Sequence, residues 1–397
     1  MAILTEPTPA ETAETVSGLD FGLTEDQELL RAEIRRFAEE RIRPGVAERD
    51  RNHEFPADIL REMGEMGLLG MMVPEEYGGA GLDTLTYCIA MEEVSRVCPA
   101  TAVTMSVTNS VCCWPINRFG SEELKSRVLP ELASGEAIGG FGLTEPGAGS
   151  DAGSLRTTAR RDGDFWVLNG EKAWITNAGF ARYFVVVAKT NPDAGKRGLS
   201  AIVVPADAPG FSVGPPEEKL GLKASRTAQI FFADCRVPAA NLLGQEGQGL
   251  KIALATLDHS RLGIAAQAVG IHQRALELAV QYAKDRVQFG VPIAQHQAVQ
   301  FRLAQIATEL AASRALTWGA AAQDHGSQAG RLAAQAKVYA SEAANRACAE
   351  SLQLHGGNGF HEDYEIARLY RDVRVTTIYE GTSEMQRLVI ARHLLQK

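Results

Sequence analysis

Cysteine is sparse and badly spaced for metal or disulfide chemistry. The six thiols, Cys88, Cys98, Cys112, Cys113, Cys235 and Cys348, contain no C-x-x-C pair, and Cys112 and Cys113 are chain neighbours. Neither a zinc site nor a disulfide framework is encoded, and reduced thiols in a cytoplasm are expected. The eight histidines show no H-E-x-x-H spacing, so no metal is expected. Positive charge is also in deficit. Forty Lys+Arg against 49 Asp+Glu leave a net charge of -9, with no overall field to attract phosphate backbones, which argues against a nucleic-acid partner. No long apolar run is present: the densest, Tyr183 to Ala188, falls far short of the roughly 20 residues that cross a bilayer, so no membrane insertion is expected. The first 30 residues hold no Lys or Arg and carry Glu6, Glu11 and Glu14, which matches neither a secretory signal nor an Arg-rich transit peptide. Residues 1–22 are expected to be a flexible leader on a cytoplasmic, bacterial-type chain.

What is present is a globular composition, 45% hydrophobic and 22% charged over 397 residues. At roughly 150 residues per domain this suggests two to three domains. Three textures divide the chain. Residues 23–137 read as helical: Thr24-Glu-Asp-Gln27 is a capping-box pattern, Leu30, Ile34 and Phe37 follow at helical spacing up to Pro44, and further helices are predicted over 57–66, 84–97 and 122–132. Residues 138–248 carry short β-branched and aromatic runs between turn signals at Asp162-Gly163, Asn169-Gly170, Pro205 to Gly210 and Pro215-Pro216. Strands are predicted over 155–161 and 164–168, as a hairpin, and over 183–188, 199–204 and 228–232. In residues 249–397 proline nearly vanishes, Pro292 excepted, and long Ala-, Leu- and Gln-rich helices are predicted over 250–285, 295–325 and 330–355. A last helix is expected to start at Ser383-Glu-Met-Gln386, a second capping-box pattern, with Met385, Leu388, Val389 and Leu395 on its face.

Two apparent motifs fail on context. Gly147-Ala-Gly-Ser-Asp-Ala152 matches G-x-G-x-x-A, but a strand-like segment follows where a dinucleotide loop must open a helix. Asp258-His259-Ser260 has triad residue types, yet neighbours on a helix point apart and cannot form a relay. The stronger signals are dispersed. Phe141 to Asp151 is a loop of small and hydroxyl residues that lets a bound group approach the backbone. Trp174-Ile-Thr176 in an extended strand places the indole and the hydroxyl on one face. Glu380 lies between the run Val375 to Ile378 and the final helix, an irregular linker from which a carboxylate can project into a cavity. An apolar lining would raise its pKa from about 4.3 toward neutrality, as a general base requires. Arg286 can grip a phosphate, Arg261 is a second candidate anion contact, and Gln353-Leu-His-Gly-Gly357 offers an amide and two glycines.

Together these segments resemble the acyl-CoA dehydrogenase family from about Leu23 to Leu395. The resemblance rests on Leu143-Thr-Glu-Pro-Gly-Ala-Gly-Ser-Asp151, Trp174-Ile-Thr-Asn177, Asp285-Arg-Val-Gln-Phe-Gly290, Gln353-Leu-His-Gly-Gly-Asn-Gly359 and Ile378-Tyr-Glu-Gly-Thr-Ser-Glu384, in the family's order and approximate spacing. It implies an α+β multidomain fold: an N-terminal helical domain, a middle β-barrel or sandwich domain and a C-terminal four-helix bundle, assembled as a homotetramer, a dimer of dimers. It implies FAD, with Phe141, Leu143, Thr144, Ser150, Trp174, Ile175 and Thr176 around the flavin. Arg286, Phe289, Gln297, Gln353, Gly356 and Gly357 would hold the ADP portion from an adjacent subunit, with Thr382, Ser383 and Glu384 adding contacts. Ser150, Asp258, Arg261 and Gly381 would match acyl-CoA contacts.

By the same resemblance Glu380 is the catalytic base. Some relatives place that glutamate just before the arginine of the helix bearing Leu257 to Arg261, where this chain has Ser260. A thioester α-C–H is a weak acid, so its removal needs a positioned carboxylate and hydrogen bonds to the carbonyl oxygen. The implied donors are the Glu380 backbone N–H and the FAD ribityl 2′-hydroxyl, and the implied reaction is oxidation of an acyl-CoA to the trans-2-enoyl-CoA with electrons passing to an electron-transfer flavoprotein. Trp166 to Gly170, Ala233 to Pro238 and Leu257 to Ile264 look most like the short-chain, butyryl-type branch. Gly142 departs mildly from the family's usual Ala or Cys. The alternative on the same fold is an acyl-CoA or nitroalkane-type flavin oxidase or monooxygenase.

Overall fold

The computed structural model describes residues 22–395, so the expected leader lies, apart from Gly22, outside the described residues. The first helix, α1 (Glu25–Phe37), begins as its sequence requires. The Thr24 hydroxyl accepts from the Gln27 N–H while the Gln27 side chain accepts from the Thr24 N–H. Its Ile34 and Phe37 turn inward, and the chain widens into a π-helical turn at Ala38–Ile42 before Pro44 tightens it. Then come α2 (Val46–Asn52), α3 (Ala57–Glu65), α4 (Thr84–Val97), α5 (Pro99–Ser106), α6 (Trp114–Phe119) and α7 (Glu122–Ala133). Helix α4 is buried almost all round, from Thr86 to Ser95, which makes it the centre of the helical layer rather than its surface.

The middle region is an eight-stranded sheet, ordered β6-β7-β3-β2-β4-β5-β8 with β1 paired to β4. Its strands are β1 (Gly139–Gly142), β2 (Thr158–Asp162), β3 (Phe165–Thr176), β4 (Tyr183–Lys189), β5 (Leu199–Pro205), β6 (Phe211–Pro216), β7 (Thr227–Pro238) and β8 (Leu242–Leu243). The predicted hairpin forms with Asp162 opposite Phe165, but two turn signals resolve differently. Asn169-Gly170 does not turn the chain: β3 runs on to Thr176 with a register shift between Leu168 and Gly170, and Gly170 takes φ +134 with Thr157 2.8 Å from where a Cβ would sit. The dipeptide is a bulge, because Gly170 accepts a backbone conformation that the ladder can absorb. Pro215-Pro216 belongs to β6, at the edge of the sheet, where a missing N–H costs no ladder bond.

The C-terminal region holds α8 (Gly249–Asp285), a two-residue hairpin of β9 (Val287–Gln288) and β10 (Val291–Pro292), α9 (Gln297–Ala321), α10 (Ala329–His355), α11 (Glu365–Val373) and α12 (Ser383–Leu395). Small residues let these helices approach closely: Ala333, Ala336, Ala340, Ala344 and Ala347 of α10 are buried, and a Cβ on Gly270 of α8 would lie 2.3 Å from the Glu92 carbonyl oxygen of α4. The sheet docks on this bundle where Gly249 meets the Ser200 backbone and where the Leu222 N–H donates to the Asp372 carboxylate at 2.6 Å.

The last helix corrects one expectation. Thr382, not Ser383, accepts the capping bond, from the Met385 N–H at 3.4 Å, and Gln386 turns back to the Glu380-Gly381 carbonyls instead of completing a capping box. Its apolar face is not buried within the chain: Leu388 is 41% exposed and Leu395 81%. No helix among the described residues is long and apolar enough to cross a membrane. All six cysteines are free and buried.

Candidate active site

The candidate residues lie on three segments: the loop after β1, the end of β3, and the linker before α12, which packs on the bundle. Strand β1 lies parallel on β4, with Phe141 opposite Val185, which sends residues 142–151 out at the sheet's end. The loop is held from below: the Ala173 N–H donates to the Thr144 carbonyl at 2.9 Å, and Lys172, fully buried, reaches the Leu143 carbonyl at 3.2 Å and the Glu145 carboxylate at 2.7 Å. Glu145 also accepts from the Arg156 and Thr157 N–H groups. Desolvation pulls the Lys172 ammonium down to about 8, against the pull of Glu145. Six of the predicted flavin contacts, Phe141, Leu143, Thr144, Trp174, Ile175 and Thr176, are thereby carried on two segments tied to each other.

Trp174 stands out physically. It sits at φ +60 at the register shift between Lys172 and Ile175 and is 61% exposed, whereas Ile175 is buried. A large indole left in water forfeits burial that a core tryptophan would gain. Gly147, Gly149, Gly356 and Gly357 likewise have open space where a Cβ would project. An exposed aromatic face on the strand that supports the open-backed Gly147–Gly149 loop leaves room for a large planar cofactor. Ser150 lies exposed on the same loop.

Glu380 occupies the linker between the 3-10 turn Arg374–Thr377 and α12, at φ +52. The residue is partly buried, but its Oε2 is shielded from solvent and has no hydrogen-bond partner. Desolvation raises its pKa to about 7, opposed by a hydrogen bond from Ser260 and by the charges of Lys337 and Arg261. The Arg261 Nε approaches the Glu380 carbonyl at 3.5 Å, and its guanidinium is ion-paired to Asp258. Asp258, Arg261, Glu380, Gly381 and Thr382 therefore converge as one cluster, with Ser383 buried beneath them and its hydroxyl unpartnered. Glu384 is exposed at the start of α12.

The third predicted group lies elsewhere. Arg286, at the end of α8, donates its backbone N–H to the Tyr282 carbonyl; Phe289, 95% exposed at φ +53 in the β9–β10 hairpin, meets His296 next to Gln297; and Gln353, Gly356 and Gly357 adjoin His355, whose ring stacks on Tyr282. At about 1.5 Å of rise per residue, the spans from Arg261 to Tyr282 and from Lys337 to His355 set this cluster roughly 30 Å from Glu380.

Sequence reasoning missed Lys337, Tyr87 and Gln386. Tyr87 is fully buried, donates to the Ser106 hydroxyl at 3.0 Å, and would crowd any side chain at Gly263, one turn beyond Ser260. The Lys337 ammonium donates to the Gly381 carbonyl at 2.7 Å. Its signal was legible: it falls on the stripe of Ala333, Ala336, Ala340 and Ala344, where a lysine has to be buried.

Comparison with known proteins adds a third kind of observation. Residues 24–136, 140–235 and 247–395 match the N-terminal, middle and C-terminal domains of acyl-CoA dehydrogenase. The chain is 50% identical over 375 residues to the short-chain specific acyl-CoA dehydrogenase of Mus musculus mitochondria, covering 94% of this chain and 91% of that one. The butyryl-CoA dehydrogenase structure from Megasphaera elsdenii superposes with a TM-score of 0.93 at 41% identity, covering 95% of this chain and 100% of that one. A chain from a structure titled for the electron transferring flavoprotein of Acidaminococcus fermentans gives 0.94 at 45% identity, over 96% and 100%. An acyl-CoA dehydrogenase complexed with FAD from Bacillus anthracis gives 0.90 at 36%, over 94% and 67%.

Proposed function

The chain belongs to the acyl-CoA dehydrogenase family, and on that premise we propose that Glu380 is the base of an FAD-dependent oxidation of a short-chain acyl-CoA to its trans-2-enoyl-CoA. The observation that carries this reading is the Glu380 carboxylate: an unpartnered oxygen held out of water with a pKa of about 7 can take a proton near neutral pH and keep it. The protein is an oxidoreductase acting on acyl-CoA, and its cofactor is FAD.

Phe141, Leu143, Thr144, Ser150, Trp174, Ile175 and Thr176 would hold the flavin, with Thr382, Ser383 and Glu384. Arg286, Phe289, Gln297, Gln353, Gly356 and Gly357 would hold an ADP portion. When bound, FAD supplies a two-electron acceptor for the hydride leaving the substrate β-carbon. The chain's own part is proton chemistry. Glu380 removes the α-proton at its free carboxylate oxygen, its backbone N–H steadies the carbonyl oxygen as enolate charge develops, and Ser150, Asp258, Arg261 and Gly381 orient the acyl-CoA. Closure of the site around these groups excludes water and strengthens each interaction.

The roughly 30 Å between the Glu380 and Arg286 clusters supports a flavin shared by two subunits, each supplying one end, in a homotetramer. The short-chain and butyryl-CoA relatives support a short acyl substrate, and the bifurcating-system neighbour supports an electron-transfer flavoprotein as acceptor. We place the protein in the cytoplasm. Anaerobic titration with butyryl-CoA tests the reading: flavin absorbance should bleach, Glu380→Gln should keep its flavin and fail to bleach, and bleaching in that variant would overturn the assignment. Rapid hydrogen peroxide release in air would favour an oxidase instead.

A further inference from the structure

Lys337 has no part in the chemistry above, yet it is a lysine with no exposed surface in the middle of α10. Long cationic side chains are almost never fully buried unless something specific holds them. Here the ammonium donates to the Gly381 carbonyl at 2.7 Å, which also accepts from the Gln386 amide at 2.8 Å. The carbonyl before it, on Glu380, accepts from Gln386 at 3.2 Å and from Arg261 at 3.5 Å. Two successive carbonyls thus face two cations and an amide, while Glu380 and Gly381 both take positive φ, +52 and +95. A left-handed glutamate is strained and persists only where its surroundings over-determine it.

We infer that Lys337 is a positioning residue for Glu380: its ammonium anchors the Glu380-Gly381 turn through the Gly381 carbonyl and supplies the positive charge that keeps the base ionisable. The inference deepens the proposed function and rests on Glu380 being the base. Charged and titratable groups reach this spot from every side: Asp258 and Arg261 from α8, Glu342 from α10, Glu384 from α12, the Tyr87 hydroxyl from α4 and Tyr379 next in the chain. Arg261 is neutralised in part by its ion pair with Asp258, whereas Lys337 makes its hydrogen bond to a neutral carbonyl and, of the carboxylates around it, acts most strongly with Glu380. Burial brings the ammonium down to about 8 while Glu380 rises to about 7.

The test follows the Glu380 carboxyl itself. In the FAD-loaded protein without substrate, the carboxylic-acid stretching band lost in Glu380→Gln is titrated by infrared difference spectroscopy in wild type, Lys337→Met and Lys337→Gln. Both substitutions remove the charge, so the Glu380 midpoint should rise by about one pH unit, and the rising limb of kcat/KM should move with it. Lys337→Gln retains a donor and should lose less kcat than Lys337→Met. Visible flavin absorbance and melting temperature establish that each variant is folded, and the polar Lys337→Gln carries the test if Lys337→Met does not fold. An unmoved midpoint in a folded variant overturns the inference. Because the band is read without turnover, an active Glu380→Gln would refute the base assignment separately.

Discussion

A carboxylate oxygen withheld from water without a partner is costly, and Glu380 resolves that cost by favouring its acid form. Its pKa of about 7 stands against an ordinary value of 4.5, so between those values the folded chain binds more protons than the unfolded one. The stability contributed by the neutral carboxyl is full below about pH 4.5 and is lost as pH rises through about 7. Glu380→Gln should therefore melt higher than wild type at pH 8, by up to about 3 kcal/mol, with the difference vanishing near pH 4; equal melting at pH 8 would contradict the buried environment. Wild-type kcat/KM should rise with pH through about 7, as the base form appears. Lys172 poses the opposite case, a cation whose partner Glu145 is buried with it. Lys172→Met should cost about 3–5 kcal/mol by stranding that carboxylate, and flavin retention should fall because Leu143 and Glu145 lose their support.

At the scale of elements, glycines decide how closely backbones approach. Gly356 ends α10 at φ +59 and ψ -138, a region open essentially to glycine alone, while Gly357 has no such constraint and both have free space where a Cβ would go. Gly356→Ala should lose about 1–3 kcal/mol through backbone strain. Gly357→Ala should leave the melting temperature of the flavin-free chain unchanged, and any weakening of flavin binding, measured by equilibrium dialysis, would mark close approach of the cofactor to that backbone. Gly270 acts between elements. Its missing Cβ lets α8 lie against the Glu92 carbonyl of α4, so Gly270→Ala should force the two helices apart at a cost of about 1–3 kcal/mol, read by thermal or denaturant unfolding.

For the whole molecule, the proposed flavin shared between subunits predicts that some of the exposed apolar groups of the C-terminal region are covered by a second copy. Phe289, Phe301 and Phe360 are 95%, 65% and 87% exposed, and Leu394 and Leu395 of α12 are 70% and 81% exposed. Isolated surface hydrophobes need no explanation, but Phe289 and Phe360 lie beside residues that, on the proposed assignment, would hold the ADP end of a flavin from another subunit. Sedimentation velocity should give a tetramer whose dissociation, promoted by Phe289→Ser, is accompanied by flavin loss; a monomer that retains FAD would refute the shared-cofactor arrangement.

Local chemistry was readable from the chain. The Thr24–Gln27 cap, the Asp162–Phe165 hairpin and the three long helices follow from side-chain periodicity and turn preference, which act over a few residues. The motif order from Leu143 to Glu384, and the candidate base Glu380 within it, were legible only through resemblance to the family. Other features depended on partners distant in sequence. Asn169-Gly170 became a bulge because β7 continues its pairing past that point. The cap of α12 fell to Thr382 because Gln386 is drawn to the Glu380 and Gly381 carbonyls. The lysine at 337 met Gly381 only when α10 packed beneath the linker. Burial and electrostatic fields are properties of assembled neighbours, so the sequence by itself determined which groups the protein carries and in which elements they lie, while tertiary packing alone decided that Glu380 would titrate near neutrality and that Lys337 would stand beside it.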